Sequence, residues 1–148
     1  MSKPAPPPRV LYVAEPAGPW TLHPTAVADC SVIAAVLWAE PAAEHARQQM
    51  AQRSLHATML LIYELANVAR SKCRSGVPEA VARAGLDMFD AQRVLLHEVE
   101  LAALYDTASR HGLSAYDAAY LALAALLQAP LLTFDHKLAE AARGLLGA

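Results

Sequence analysis

The chain has 148 residues, of which 55% are hydrophobic and 18% are charged. This length suits one domain with its own core, and the apolar content excludes a globally disordered protein. Twelve Lys and Arg residues against fourteen Asp and Glu residues give a formal charge of -2, which argues against a nucleic-acid binder that relies on a broad basic surface. Aromatic residues make up only 6% of the chain, while alanine and leucine dominate, and this balance favours helices.

Residues 1–25 differ in composition from the rest of the chain, since seven of the ten prolines lie there. Proline fixes φ and removes a hydrogen-bond donor, so we expect an extended arm, with Val10–Val13 as a short edge strand. A disordered leader is the alternative. The sequence therefore predicts a proline-rich N-terminal arm over residues 1–25 and one domain over residues 26–148.

The cysteine content and the hydropathy of the chain indicate the cellular compartment in which the protein is expected. Cys30 and Cys73 are too few for a disulfide framework, so a reducing environment is expected and both are interpreted as small core residues. No uninterrupted apolar stretch reaches the roughly 18 residues of a membrane span. Prolines near the N-terminus also replace the apolar run of a signal peptide. We therefore expect a cytoplasmic protein without a membrane segment.

Short apolar segments alternate with helical patterns from residue 26 onward. Strands are predicted at Ala26–Asp29, Val94–Val99 and Leu131–Phe134, and Leu55–Thr58 is interpreted as a strand or an entry turn. Helices are predicted at Val32–Ala39, from Pro41 to about Arg53, at Leu60–Arg74, from Pro78 to about Arg93, at Leu101–His111, at Ala115–Ala129 and for about ten residues after Asp135. This alternation predicts an α/β fold with a short parallel central sheet and helices on both faces.

Four carboxylates occupy positions from which they could form one site. Asp29 and Asp135 follow the first and last predicted strands, and sites in open α/β sheets form beyond the carboxyl ends of strands. Asp117 lies in the first turn of the helix that Ser114 is predicted to cap, and Glu64 interrupts an apolar helical run. Each acid alone has a simpler interpretation, as a helix cap, a favourable charge at a helix N-terminus or part of a polar stripe.

Converging carboxylates cannot all stay ionised unless a cation neutralises them. Oxygen ligands without a Cys/His cluster suit Mg²⁺ or Mn²⁺. Such a site, with water in its open positions, suits hydrolysis of phosphodiester bonds.

The segments around these carboxylates resemble the motifs of PIN domains. Val27–Ile33 resembles the D-x-S motif, Tyr63–Val68 the E-x-x-N helix, Leu113–Ala122 the LSxYDAxYLALA motif and Leu131–Leu138 the L-x-T-x-D-x-x-L motif. The order and spacing of the motifs also agree over about residues 26–146, and the third motif is the most specific. The chain is similar to VapC-type toxins, the ribonuclease half of a bacterial type II toxin–antitoxin pair.

The resemblance implies a PIN-like fold and a metal-dependent endoribonuclease that cleaves RNA, commonly as a homodimer, and that a cognate VapB-like antitoxin neutralises. On the matching motifs, the acidic quartet that carries catalysis and holds Mg²⁺ or Mn²⁺ is Asp29, Glu64, Asp117 and Asp135. The supporting residues are Ser31, Thr133 and Asn67. Asn67 shares a helical face with Glu64 and could hold that carboxylate or a metal-bound water.

Other interpretations stay open. A PIN nuclease could process RNA without an antitoxin, and a PIN fold could also serve as a non-catalytic interaction module. Arg70, Lys72 and Arg74 could bind RNA phosphates, although a solvated helix end that favours cations is the simpler explanation. Trp20 and Trp38 could stack on RNA bases, and Trp38 more simply belongs to the core or a dimer interface.

Overall fold

The computed structural model describes residues 23–147 of the chain. Within this range four parallel strands form one sheet in the order β3-β2-β1-β4, with β1 at Thr25–Ala28, β2 at Ser54–Thr58, β3 at Leu95–His97 and β4 at Leu131–Leu132. Seven α-helices accompany them: α1 (Cys30–Leu37), α2 (Ala43–Met50), α3 (Leu60–Arg74), α4 (Glu79–Asp87), α5 (Leu101–His111), α6 (Ala115–Leu127) and α7 (His136–Leu146). Val10–Val13, Trp20 and most of the predicted arm lie outside the described residues.

Both faces of the sheet are covered. Ala26, Val27 and Ala28 of β1 are each fully buried, although successive strand side chains point to opposite faces. Helix α6 packs against β1, β2 and β4, whereas α1 packs against α2 and α3. Right-handed crossover connections place these two groups of helices on opposite faces. The predicted α/β fold with a parallel sheet is confirmed.

Glycine or serine residues mark the ends of three helices, as the sequence predicts. Helices α3 and α5 have the predicted bounds, and the chain leaves them through Gly76 and Gly112, at φ values of 101° and 61°. Glycine reaches this left-handed region without a Cβ clash. Ser114 caps α6, because its hydroxyl accepts the Asp117 N–H at 3.2 Å.

The predicted start of α2 at Pro41 is wrong. The Glu40 carbonyl accepts the Ala43 N–H at 2.8 Å, which closes a turn with Pro41 in the position that favours proline. The helix begins only at Ala43. The fixed φ of proline therefore serves a turn rather than a first helical turn.

Several predicted elements are too long, and α4 and β4 differ in ways that have a visible structural cause. Helix α4 ends at Asp87 instead of continuing to Arg93, because a short 3-10 helix follows at Asp90–Gln92 and Arg93 itself takes a left-handed φ of 51°. Strand β4 stops before Phe134, whose N–H donates to the Ser31 hydroxyl at 2.9 Å instead of to a neighbouring strand. The second difference shapes the site described below.

The structure confirms the predicted core position of Trp38, whereas the prediction that Cys73 is a core residue is wrong. Trp38 packs against the core, and its indole N–H donates to the Ala82 carbonyl at 3.2 Å. Cys30 is half-buried against the core, but Cys73 is exposed, at the groove between α3 and α4. Among residues 23–147 no helix combines the length and apolar character needed to cross a membrane.

Candidate active site

Successive strands are added on one side of β1 until the chain returns to add β4 on its other side. From β1 the chain adds β2 and then β3 on one side, and it returns to place β4 on the other side of β1. The carboxyl ends of β1 and β4 therefore flank a topological switch point, where open α/β sheets form their sites. Asp29 directly follows β1, and Asp135 comes shortly after β4.

Asp29 is the most enclosed of the four carboxylates, with 6% of the residue exposed. One of its oxygens accepts the Ser31 hydroxyl at 2.6 Å and the Val32 N–H at 3.2 Å, so it also caps α1. The other oxygen accepts the Thr133 hydroxyl. Burial raises the pKa of Asp29, and these hydrogen bonds partly offset the increase.

The Ser31 and Thr133 hydroxyls connect the carboxyl ends of the two strands. Each donates to Asp29 and accepts a backbone N–H from the segment after β4: Ser31 from Phe134 at 2.9 Å, and Thr133 from Asp135 at 2.9 Å. With both donors and acceptors used, neither hydroxyl is free to rotate away. The two side chains therefore fix Asp29 relative to the chain around Asp135.

Asp135 caps a helix, which is the simpler interpretation that its position in the sequence suggests. Its side chain accepts the Leu138 N–H at 2.8 Å and caps α7, and the residue is exposed. A carboxylate has lone pairs to spare after one such bond. Its capping role and its place beside the switch point are therefore compatible.

Glu64 projects from α3 and is half-buried. One carboxylate oxygen accepts the hydroxyl of Tyr120, a side chain of α6, at 2.8 Å. Burial raises the pKa of Glu64, the Tyr120 hydrogen bond opposes this, and the charges of Asp29 and Asp117 raise it further. Asp29 and Asp117 therefore lie near enough for their charges to act on Glu64.

The negative charges around Asp29 and Glu64 also affect the pKa of the nearby Cys30 thiol. Burial raises the pKa of its thiol to about 12, and the charges of Glu64, Asp29 and Glu40 contribute to the increase. The thiol is therefore neutral near pH 7 and a poor nucleophile, which agrees with its interpretation as a small packed side chain.

The carboxylates provide suitable donors for a divalent cation without forming a finished cage. No group of three His, Cys, Asp or Glu side chains within residues 23–147 is close enough to be a ready metal site. The donors are nonetheless hard oxygens whose mutual repulsion a cation would relieve. Because hydrogen bonds hold both oxygens of Asp29, a cation would have to draw the half-buried Glu64 and Asp117 side chains toward it.

Two buried polar residues, Tyr120 beside Glu64 and Thr58 beside Tyr120, carry no role in the sequence interpretation. Tyr120 lies inside the third motif and is 1% exposed; a tyrosine in an apolar helical run was a signal that its hydroxyl needs a buried partner. Thr58 is buried at the end of β2, and its hydroxyl has no hydrogen-bond partner within the described residues, although it lies close enough to lower the pKa of Tyr120. The burial of Tyr120 and the charge of Glu64 raise that pKa much more.

Two predicted contacts differ from the sequence expectation. Asn67 is exposed and makes no side-chain hydrogen bond with any residue of the described range, so it does not hold Glu64. The Lys72 ammonium lies 2.7 Å from a Glu40 carboxylate oxygen and 5.4 Å from the centre of the Trp38 ring. Lys72 is therefore occupied within the fold.

Comparisons with known proteins agree with this architecture. The family model described as PIN domain matches residues 26–144. A curated relative, ribonuclease VapC3 of Pyrobaculum aerophilum, is 34% identical over 120 residues, which cover 77% of this chain and 92% of the relative. Among solved structures, the crystal structure of PAE2754 from Pyrobaculum aerophilum aligns with a TM-score of 0.67 and 24% identity, over 85% of this chain and 95% of that chain. This last similarity shows the fold.

Proposed function

Because the chain belongs to the PIN domain family, we propose that it is a metal-dependent endoribonuclease, the toxin of a toxin–antitoxin pair that acts in the cytoplasm. The 34% identity to ribonuclease VapC3, over 92% of that relative, supports the activity. The observation that carries the proposal is the position of Asp29 beside the switch point of the sheet, where Ser31 and Thr133 hold both of its oxygens and Glu64 and Asp117 lie nearby. An acidic cluster at this place is suited to a cation and a phosphodiester.

The acidic quartet would hold Mg²⁺ or Mn²⁺ through Asp29, Glu64, Asp117 and Asp135. When bound, the cation supplies Lewis acidity toward the phosphate and lowers the pKa of the attacking water. Asp29 offers a fixed carboxylate, because Ser31 and Thr133 hold both of its oxygens. Residues that orient a ligand in this way typically change metal affinity or activity by about 10- to 100-fold when they are mutated.

Glu64 projects from α3, and Tyr120 orients its carboxylate. The phenol donates to one oxygen of Glu64 and leaves the second oxygen available to a ligand. Because the raised pKa of Tyr120 keeps the phenol protonated, it acts as a permanent donor and not as a base. The chain thus orients its carboxylates and leaves the activation of water to the cation.

The direct test is sequencing of RNA 5′ ends after brief induction of the intact chain and of Asp117→Asn. The wild type should produce new 5′ ends at defined positions, and the variant should not. Purified wild type should also cleave the same RNA with Mn²⁺ and stop in excess EDTA. Undiminished cleavage by the variant, or none by a folded wild type supplied with metal, would contradict the proposal.

A VapB-like antitoxin would neutralise this site through its charge. Clustered carboxylates attract a cation, and an Arg side chain can replace a metal by donating paired hydrogen bonds to two carboxylates. The antitoxin would direct a basic residue toward Asp29, Glu64 and Asp117 and lay apolar side chains beside α3. Its inhibition should weaken when that residue becomes Ala, and raised Mn²⁺ should compete with it. An antitoxin that inhibits fully after all its basic residues near the site are removed would disprove this mechanism.

A further inference from the structure

The outer face of α3 carries four polar side chains in one line. Tyr63, Asn67, Arg70 and Arg74 recur at intervals of four, three and four residues. At 3.6 residues per turn these intervals keep them within about 60° of one another around the helix. All four are exposed, and Tyr63 is 66% exposed. We call this set the α3 stripe.

The α3 stripe begins at the acidic site and leads away from it. Tyr63 immediately precedes Glu64, and Asn67 lies one turn farther along the helix. From Tyr63 to Arg74 the stripe extends about 16 Å, at 1.5 Å per residue. A strand bound along it would therefore pass beside the Glu64 carboxylate.

The two arginines of the α3 stripe are not paired with an acidic side chain within the described residues. Arg70 and Arg74 take part in none of the ion pairs found within residues 23–147. Lys72, in contrast, lies about half a turn around the helix from Tyr63 and binds Glu40. The structure therefore removes Lys72 from the predicted basic cluster and retains Arg70 and Arg74.

A solvated helix end explains the arginines but not the exposed Tyr63. Guanidinium groups suit phosphate oxygens, and an exposed aromatic ring suits stacking with an unpaired base. Until a cation neutralises the carboxylates, the acidic site repels a phosphate backbone, so positive charge beside the site would help to hold the RNA. The stripe supplies positive charge beside that site in a chain whose formal charge is -2.

We propose that the α3 stripe is the binding track for a single-stranded RNA substrate. Arg70 and Arg74 contact phosphates, Tyr63 stacks on a base next to the cleaved bond, and Asn67 hydrogen-bonds a base edge or ribose between them. This inference rests on the proposed ribonuclease function and adds which part of the surface receives the substrate and in what strand state.

The test compares substitutions in the stripe with matched substitutions on α5. The stripe variants are Tyr63→Ala and the double variant Arg70→Gln/Arg74→Gln. The controls are Tyr105→Ala and Arg110→Gln, which alter an exposed tyrosine and an exposed arginine on another helix. Binding of a fluorescein-labelled, unstructured RNA 20-mer is measured by fluorescence polarisation over a range of KCl concentrations, and KM and kcat are measured for cleavage of the same RNA.

The double arginine variant should raise the Kd at least 10-fold and raise KM similarly, with kcat within about twofold of wild type. The slope of log K against log[KCl] should become shallower by about 1.4, since each lost phosphate contact on a single strand contributes about 0.7. Tyr63→Ala should weaken binding by about 10-fold, and Tyr63→Trp should restore it. The α5 controls should resemble wild type, and circular dichroism should show every variant folded.

Unchanged Kd and salt slope in the stripe variants would overturn the inference, as would equal losses in the α5 controls. Stripe variants that bind RNA normally but no longer bind the antitoxin would also overturn it and would identify a protein-docking surface. The proposed function fails separately, if the wild type does not cleave RNA with metal present. The binding measurements need no cleavage, so they decide the role of the stripe in either case.

Discussion

Thr133 and Asp29 lie 104 positions apart in the chain, yet the Thr133 hydroxyl donates to one carboxylate oxygen of Asp29. The same hydroxyl accepts the Asp135 N–H at 2.9 Å. Ser31 repeats the arrangement with the other oxygen of Asp29 and the Phe134 N–H. The position of the most buried acid therefore depends on hydroxyl groups from both strand ends.

Replacing Thr133 by Val should remove one donor from a buried carboxylate while preserving the size of the side chain. An unsatisfied buried acceptor costs about 1–3 kcal/mol, so the free energy of unfolding should fall by that amount. RNA cleavage should fall by about 10- to 100-fold because one of the two oxygens of Asp29 is no longer held. Urea denaturation and cleavage assays measure the two effects. Thr133→Ser keeps the hydroxyl and should stay near wild type; a Ser variant as impaired as Val would refute the hydrogen-bond explanation.

Local signals were sufficient to predict most elements of the fold. Helices α3 and α5 have the predicted bounds because apolar periodicity defines their length and glycines mark their ends. The prediction joined α4 to the 3-10 helix at Asp90–Gln92 because the apolar pattern runs on through Leu86 and Phe89. Helix α4 nevertheless ends at Asp87, and the left-handed backbone of Arg93 ends the 3-10 helix that follows; no glycine follows either end.

The sequence was sufficient to predict which residues form the candidate site, but not which contacts they make. Asp29 and Asp135 were identified because they follow strands, and Glu64 because it interrupts an apolar run. The bond from Tyr120 to Glu64 joins α6 to α3, and it depends on how these helices pack, which periodicity does not specify. For the same reason the sequence could not show that Lys72 turns toward Glu40 or that Asn67 remains free of Glu64.

A divalent cation should stabilise the folded chain through the acidic quartet. A ligand at 100 times its Kd adds about 2.7 kcal/mol to the free energy of unfolding, so Mn²⁺ should raise the Tm of the wild type by several degrees. Asp29→Asn and Asp117→Asn should abolish the increase and lower RNA cleavage by at least 100-fold. Differential scanning fluorimetry with and without Mn²⁺ measures the shift. Asp106→Asn, an exposed acid on α5, is the control, and an equal loss there would show non-specific binding.

Glu64→Gln should make stability less dependent on pH in metal-free buffer. Burial raises the pKa of Glu64 above its ordinary value of 4.5, so the folded chain holds this proton more tightly than the unfolded chain. The contribution of the group to stability is therefore complete below about pH 4.5 and is lost as the pH rises through the folded pKa. The variant should exceed wild type in stability at pH 7, and the difference should shrink as the pH falls.

Urea denaturation in EDTA between pH 4.5 and 7.5 measures that difference. The Gln carbonyl can still accept the Tyr120 hydroxyl, so the variant isolates the charge. Glu98→Gln, at an exposed position, is the matched control for the loss of one carboxylate. A difference that grows on acidification would contradict the predicted direction.

The chain should form a homodimer. It is 55% hydrophobic, and it leaves Val81 and Met88 of α4 half exposed, so apolar surface remains for a partner. Light scattering at micromolar concentration should give about twice the 15.8 kDa of one chain. A monomer mass over the whole accessible concentration range would contradict this prediction.

Two helical glycines should respond in opposite directions to the same substitution. A Cβ at Gly85 of α4 would overlap the indole of Trp38, whereas a Cβ at Gly144 of α7 would meet no atom within 4 Å. The Trp38 ring has little freedom to retreat, because its N–H donates to Ala82 and Lys72 lies over its face. Gly85→Ala should therefore lower the free energy of unfolding by about 1–3 kcal/mol.

Gly144→Ala should instead raise it by about 0.5–1 kcal/mol, because alanine is the better helix former and loses less backbone entropy on folding. Urea denaturation of both variants beside wild type measures the two changes. If Gly85→Ala is as stable as Gly144→Ala, the close packing of α4 on Trp38 is wrong. Trp38→Phe combined with Gly85→Ala should recover part of the loss, since the smaller ring makes room for the added methyl group. A double variant no more stable than Gly85→Ala would show that the clash lies elsewhere.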